Sequence, residues 1–129
     1  MTRRTYGTGR PLEQQIGFSR AVRWENVIEV AGTAPTNPDG TPAAPGDAYA
    51  QTKACLEIIG RALGELGGSL NDVVRTRIFL TDVSRWQEIG RAHGEVFGAI
   101  RPAATMVGVA ALLHPDWLVE IEATAVIGA

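Results

Sequence analysis

Two glutamates near the end of the chain, Glu120 and Glu122, best combine a residue type and a spacing that could support acid–base chemistry. They alternate with apolar residues in LVEIEATAV (118–126), a period-2 pattern typical of a strand with one buried face. Glutamate is unfavourable in strands, so two carboxylates about 6.5–7 Å apart on one face need a reason. Either they form ion pairs with neighbouring arginines, or one lies in a partly desolvated cleft, where a raised pKa suits a general acid or base. The spacing leaves both alternatives open.

The arginines that could pair with these glutamates lie in VVRTRIFL (73–80), which predicts another strand. Alternation separates its side chains into two faces, Val74/Thr76/Ile78/Leu80 and Val73/Arg75/Arg77/Phe79. We expect the second face to combine the arginines and glutamates with four apolar residues, Val73, Phe79, Met106 and Val126. Such a face is too apolar to be left in water and too charged for a dry core, which predicts subunit association with charged clefts.

The remaining polar residues predict no second catalytic centre. His93 lies on the apolar side of a predicted helix and is expected to be a packed, hydrogen-bonded histidine. Neither it nor His114 has metal-ligand spacing with a carboxylate or with Cys55, so we expect no metal site. Cys55 is the only cysteine, which excludes an internal disulfide and fits a reducing compartment. The net charge of −2 without a basic stripe counts against a nucleic-acid partner.

The elements that must position these residues begin with two predicted strands, FSRAVRW (18–24) and VIEVAGT (27–33), after a polar N-terminal arm. A proline-rich loop (34–47) follows. A first helix is predicted from about Ala48 to Leu66, with Asp47 as its N-cap and Gly67-Gly68 as its stop.

A second helix is predicted after the strand at 73–80. Ser84 and Gln87 form a capping-box pattern at its start, and Gly98 ends it. RPAATMVGVA (101–110) predicts a further strand before the last one. The order ββ-α-β-α-ββ predicts one α+β domain over residues 1–129, with two helices on one face of a mixed sheet. No signal peptide or membrane-spanning run is visible, so we expect a soluble cytoplasmic protein.

Six segments in register give this chain a recognisable family pattern. They are GFSRA (17–21), VAGTAP (30–35), QTKACLEIIGRAL (51–63), VVRTRIFLTD (73–82), RPAATMV (101–107) and VEIEATAV (119–126). Together they resemble the RidA family, also called YjgF-type and earlier named L-PSP endoribonuclease or translation inhibitor. The resemblance implies a chorismate-mutase-like fold, a homotrimer with three inter-subunit clefts, and hydrolysis of small enamines or imines to a ketone and ammonia. It implies no metal or organic cofactor.

The resemblance also implies residue roles. The family's glutamate of the last strand corresponds to Glu120, which would position water or transfer protons in the cleft. The implied substrate pocket contains eight further residues: Phe18, Arg20, Ala31, Gly32, Thr33, Arg77, Ala104 and Met106. We expect Glu120 to line an inter-subunit cleft near Phe18, the 31–33 backbone and Met106.

Several positions depart from the family pattern. Ala104 stands where the family's P-A-R-[ST] segment has the arginine that holds a substrate carboxylate. Phe18 replaces a common tyrosine, and Arg20 replaces a usual glutamine. Arg77, Arg101 and Arg20 are the candidates for the missing cation. Arg77 is favoured because a strand holds it rigidly, although it could instead only neutralise a neighbouring glutamate.

Three functions are consistent with this sequence. The first is an imine or enamine deaminase with altered substrate selection. The second is a non-catalytic trimer of the same fold that binds a small ligand or has a regulatory role. The third is a ribonuclease or translation inhibitor, against which the acidic charge balance counts.

Overall fold

A six-stranded sheet with two long helices on one face forms the body of the computed structural model, which describes residues 2–128. The elements are β1 (Arg4–Tyr6), α1 (Pro11–Ile16), β2 (Ala21–Trp24), β3 (Val27–Thr33), α2 (Ala48–Glu65), β4 (Val73–Leu80), α3 (Trp86–Phe97), β5 (Ala103–Gly108) and β6 (Val119–Val126). No helix within 2–128 is both long and apolar enough to cross a membrane.

The sheet has the strand order β1-β2-β3-β6-β4-β5, so the chain's last long strand lies in the middle. All pairs are antiparallel except β4 with β5, which makes the sheet mixed as predicted. Residues Val119, Ile121, Ala123 and Ala125 of β6 face the helices and are fully buried. The glutamates of β6 therefore lie on the opposite side of the sheet, which we call the outer face.

Helix α2 begins and ends where the sequence predicts. The Asp47 carboxylate accepts a hydrogen bond from the Ala50 amide at 2.9 Å, which satisfies one of the free N–H groups of the first turn. At the other end Gly67 adopts the left-handed conformation (φ 86°), and the Gly68 amide donates to the Leu63 carbonyl at 2.8 Å. This Schellman-type stop requires a residue without a Cβ penalty, so a glycine occupies it.

The N-terminal arm is more ordered than the sequence predicts. Residues Arg4–Tyr6 add β1 to the edge of the sheet beside β2, and Pro11–Ile16 form the short helix α1. α1 ends at Gly17 in the left-handed conformation (φ 87°). Both elements are short and mostly exposed, so neither leaves a hydrophobic period in the sequence. The predicted order ββ-α-β-α-ββ lacked these two elements.

The predicted start of the second long helix was wrong. Asp82, not Ser84, is the capping side chain, because its carboxylate accepts from the Ser84 amide at 3.0 Å and from the Ser84 hydroxyl at 2.6 Å. A 3-10 turn follows, and α3 starts only at Trp86. α3 stops before Gly98 as predicted, but Gly98 is right-handed (φ −56°). The left-handed residue is Arg101 (φ 60°), whose amide donates to the Phe97 carbonyl.

Two residues predicted for the outer face lie on the helix side instead. The register between β4 and β6 shifts between Val73 and Arg75, so Val74 is an extra, 38% exposed residue and Val73 turns into the core. Met106 pairs with the core residue Ile78 across the parallel β4–β5 ladder and contacts the core. The outer face is therefore less apolar than predicted.

Candidate functional site

Glu120 lies on the outer face of β6, opposite Phe79 of β4 and close to an irregularity in β3. The β3–β6 register shifts between Val30 and Thr33, so the 31–32 backbone bends out of regular pairing. Gly32 then approaches the Glu120 carboxylate so closely that a Cβ added there would lie 3.2 Å from Glu120 Cδ and clash with Oε2. The Glu120 carboxylate can occupy this position because residue 32 has no side chain.

The Glu120 carboxyl group is partly desolvated. Its pKa is raised above the ordinary glutamate value because burial disfavours the charged form. The positive charge of Arg20 opposes this rise, and the negative charge of Glu122 adds to it. No side chain in the described range 2–128 lies within ion-pair distance of the Glu120 carboxylate or donates a hydrogen bond to it. The group can therefore hold or release a proton in a site that a ligand can reach.

Arg20 is the cation beside this carboxylate. Its Nη2 donates to the Gly32 carbonyl at 2.6 Å, and its Nη1 donates to Thr33 Oγ1 at 3.1 Å. The guanidinium carbon lies 5.4 Å from the centre of the Phe18 ring, within range of a cation–π interaction. Burial lowers the pKa of Arg20 from its ordinary value, and the negative charges of Glu13 and Glu120 oppose that shift.

These residues share one cleft of about 1100 Å³, which we call the Glu120 cleft. Its floor combines Phe18, Arg20, Ala31, Gly32 and Glu120, and its walls come from α1, the 34–43 loop, α2 and the segment before β6. Five of the predicted pocket residues therefore meet in one place. Thr33 is fully buried and supports the cleft through its hydroxyl, which accepts from Arg20 and donates to the Ala31 carbonyl at 2.8 Å.

Trp117 is a cleft residue that sequence reasoning missed. It lines the cleft from the turn before β6, and its Nε1 is the one buried side-chain polar atom in 2–128 without a hydrogen-bond partner. The sequence around it, HPDW (114–117), reads as a turn, and tryptophan alone predicts only packing.

A buried glutamine of α2 sets the position of β6. The Gln51 side chain is fully buried; its Nε2 donates to the Asp116 carbonyl at 2.8 Å, and its Oε1 accepts from the Leu118 amide at 2.8 Å. Nε2 also donates to the Ala44 carbonyl at 3.4 Å. These bonds hold the backbone two residues before Glu120, so they also fix which β6 side chains face outward.

Arg77 does not share the Glu120 cleft. Its Nη1 lies 3.4 Å from Glu122 Oε1 across the β4–β6 ladder, in a smaller cleft on the outer face. The predicted pairing of Glu122 with an arginine is thereby confirmed. Arg101 lies exposed in the turn after α3. Of the three candidate cations, the geometry brings Arg20 rather than Arg77 to Glu120.

Ala104 and Met106 lie on the helix side of β5, the strand at the edge of the sheet. Within one subunit the sheet separates them from Glu120, so the predicted proximity would require a second subunit. Ala104 pairs with Thr76, whose Oγ1 lies 2.9 Å from His93 Nε2. His93 is half-buried, and burial lowers its pKa. The prediction of a packed, hydrogen-bonded histidine is confirmed.

No group of three or more His, Cys, Asp or Glu residues is arranged to hold a metal ion in the part of the chain that the structure describes. Cys55 is buried in the core, as predicted, and burial raises the pKa of its thiol. A protonated, inaccessible thiol is a poor nucleophile.

Comparison with known proteins gives consistent matches over almost the whole chain. The family model described as Endoribonuclease L-PSP matches residues 9–127. The 3-aminoacrylate deaminase RutC of Acinetobacter baylyi is 37% identical over 119 residues, which cover 92% of this chain and 91% of that protein.

Solved structures agree. Rv2704 from Mycobacterium tuberculosis, a member of the YjgF/YER057c/UK114 family, matches with a TM-score of 0.89 and 45% identity, covering 98% of this chain and 100% of that chain. The YjgF gene product from E. coli matches with a TM-score of 0.77 and 29% identity, covering 85% of this chain and 87% of that chain. These likenesses confirm the predicted α+β, YjgF-type fold.

Proposed function

Because the chain belongs to the endoribonuclease L-PSP family, we propose that it is an enamine or imine deaminase. The observation that carries this proposal is the partly desolvated Glu120 carboxyl group in an accessible cleft. The similarity to a 3-aminoacrylate deaminase supports the same reaction class, since 3-aminoacrylate is an enamine. A reactive imine needs little activation beyond a positioned water and a proton donor, and a single carboxyl group can serve both needs.

The reaction is a hydrolysis in which the two protons lost by water are gained by nitrogen. An enamine first becomes the imine by gaining a proton on carbon and losing one from nitrogen. Water then adds to the imine carbon: a C–O bond forms, the C=N π bond breaks, and Glu120 accepts a proton from the water and donates one to the nitrogen, which gives the carbinolamine. Glu120 then accepts the proton of the carbinolamine hydroxyl and donates one to the nitrogen, the C–N bond breaks, and the carbonyl product and ammonia leave. The raised pKa suits both steps, because the group exchanges its proton nearer neutral pH than an ordinary glutamate.

The non-catalytic ligand-binding protein is the second candidate, and Ala104 is the observation that favours it. Its methyl group cannot bind a carboxylate, so the family's usual substrate contact is missing at that position. A ribonuclease would need concentrated positive charge for the phosphate backbone, whereas this chain carries a net charge of −2. Ammonia release separates the two leading candidates.

We further propose that the protein assembles as a homotrimer with the clefts completed between subunits. Apolar residues on the outer face support this assembly: Trp24 and Val107 are 42% and 41% exposed, and Phe79 and Val126 are only partly buried. A second subunit would cover them. It could also bring its edge strand, with Met106, to the Glu120 cleft.

The test of the deaminase is release of ammonia from two imines, 2-iminopropionate formed in situ and an imine of similar size without a carboxylate. Glu120→Gln should lower the rate by about 100-fold to 10,000-fold, since the amide keeps the shape but cannot exchange the proton. Glu88→Gln is the matched control, because it makes the same change in a carboxylate of α3 that pairs with Arg85 and lies outside the Glu120 cleft. Full activity of Glu120→Gln in a folded protein would contradict the catalytic role.

A further inference from the structure

Arg20 carries a positive charge that the protein does not neutralise by contact. It is largely buried at the floor of the Glu120 cleft, yet no carboxylate in 2–128 lies within 4.0 Å of its guanidinium. Buried charges are ordinarily paired, because desolvation without a counter-charge is costly. The cleft therefore has room for an anion, and a guanidinium to receive it.

The guanidinium is held in a fixed orientation before any ligand arrives. Its two Nη atoms are anchored to the Gly32 carbonyl and to Thr33 Oγ1, and its central carbon lies 5.4 Å from the centre of the Phe18 ring. These two hydrogen bonds use only part of its N–H donors, so others can point toward a ligand. Anchoring of this kind lowers the entropy cost of binding, as expected of a recognition residue rather than a mobile surface arginine.

Three other arginines lie near the cleft. Arg77 pairs with Glu122 in a separate, smaller cleft. Arg10 donates to the carbonyls of Asn37 and Pro38 and so ties the 34–43 loop to the start of α1. Arg61 of α2 lines the Glu120 cleft and is exposed. Of these four arginines, Arg20 is the one that hydrogen-bonds to the Gly32 backbone, against which the Glu120 carboxylate lies.

We propose that Arg20 binds the substrate carboxylate, so that carboxylate recognition uses the residue just before β2 of the subunit that carries Glu120 rather than the alanine at residue 104. This inference rests on the deaminase proposed above and assigns the residue of this chain that would select a carboxylate-bearing substrate. In a 2-imino acid the carboxylate carbon is bonded directly to the imine carbon. Arg20 and Glu120 both border Gly32, so a carboxylate on Arg20 brings the adjacent imine carbon to the Glu120 carboxyl group. A guanidinium suits this contact because two parallel N–H groups match a carboxylate.

Binding of product-like ligands tests this inference without relying on turnover. We would measure the affinity for pyruvate and for its uncharged amide, pyruvamide, by titration calorimetry. The proteins are the wild type, Arg20→Gln, Arg20→Lys, Arg77→Gln and a surface control, Arg91→Gln. Wild type should prefer pyruvate. Arg20→Gln should weaken pyruvate binding about 10-fold to 100-fold and leave pyruvamide unchanged. Arg20→Lys should recover part of the loss through its charge, and Arg91→Gln, which is exposed on α3, should match wild type.

The outcomes separate this inference from the proposed reaction. Equal pyruvate affinity in wild type and Arg20→Gln would overturn the role of Arg20, as would a loss in Arg77→Gln instead. No preference of wild type for pyruvate over pyruvamide would overturn it as well. If Arg20→Gln does not fold, which its thermal unfolding curve would reveal, Arg20→Lys decides instead. It keeps the charge but loses the bidentate contact, so pyruvate affinity equal to that of wild type would overturn the role of Arg20. Arg20-dependent pyruvate binding without ammonia release would support Arg20 and reject the deaminase. Turnover of the carboxylate-free imine alone would support the deaminase and reject the role of Arg20.

Discussion

Replacing Gly32 by alanine should separate activity from folding. The added Cβ would lie 3.2 Å from Glu120 Cδ and closer still to Oε2, inside the optimal contact distance of about 3.5–4.0 Å. The carboxylate must therefore withdraw by about 1 Å, and it can do so because it ends a flexible side chain. Misplacement of a reacting group by about 1 Å costs on the order of 100-fold in rate, or about 2.7 kcal/mol of transition-state stabilisation.

The assay compares kcat/KM for ammonia release with thermal unfolding of the same preparation. Gly32 does not adopt a left-handed φ, so alanine adds no backbone strain and the melting temperature should change little. Gly94→Ala in α3 is the matched control, because nothing lies within 4 Å of its added Cβ and activity should be unchanged. A folded Gly32→Ala protein with wild-type kcat/KM would show that the close approach to Glu120 is irrelevant to catalysis. If the variant is unstable, combining it with Glu120→Ala should restore stability, provided that the clash is the cause.

Two other predictions concern stability and assembly. Because the pKa of Glu120 is raised, its carboxyl group holds a proton more tightly in the folded protein than in the unfolded chain. The stability gained from this proton is complete below the ordinary glutamate pKa of about 4.3 and is lost as the pH rises through the pKa of the folded protein. Glu120→Gln should therefore gain stability relative to wild type between acidic and neutral pH, and parallel denaturation midpoints across that range would contradict the raised pKa. Analytical sedimentation at micromolar concentration should give three times the 13.7 kDa mass of the chain, and a stable monomer would leave the clefts incomplete.

The sequence predicted the strands and helices whose apolar residues recur with a regular spacing. Alternation in β6 correctly placed Glu120 opposite the buried face, and the apolar stripe of α2 predicted a helix with Asp47 as its cap. It could not predict β1 and α1, which are too short to show a period. The extra residue at Val74 in the β4–β6 pairing was not predicted for another reason. A single extra residue moves Val73 to the opposite face, and only pairing with β6 reveals it.

For the cleft, the family resemblance indicated Phe18, Arg20, Ala31, Gly32 and Glu120 together, and the structure brings them together. Arg77, the cation that the sequence favoured, pairs with Glu122, which a neighbouring strand presents directly opposite it. Strand rigidity was a sound reason for a fixed arginine, but it says nothing about which carboxylate that arginine meets. Arg20 precedes its strand and is fixed instead by the Gly32 carbonyl and the Thr33 hydroxyl beside the bent 31–32 backbone, a tertiary feature without a local sequence signal.

The Gln51 hydrogen bonds hold β6 in alignment independently of the length of the β5–β6 connection. Because Gln51 holds the backbone at Asp116 and Leu118, we expect a change in the length of the 110–113 segment to leave Glu120 in place. Leu113 of this segment lines the Glu120 cleft, so a replaced loop would alter the mouth of the cleft beside Trp117 while the carboxylate keeps its position.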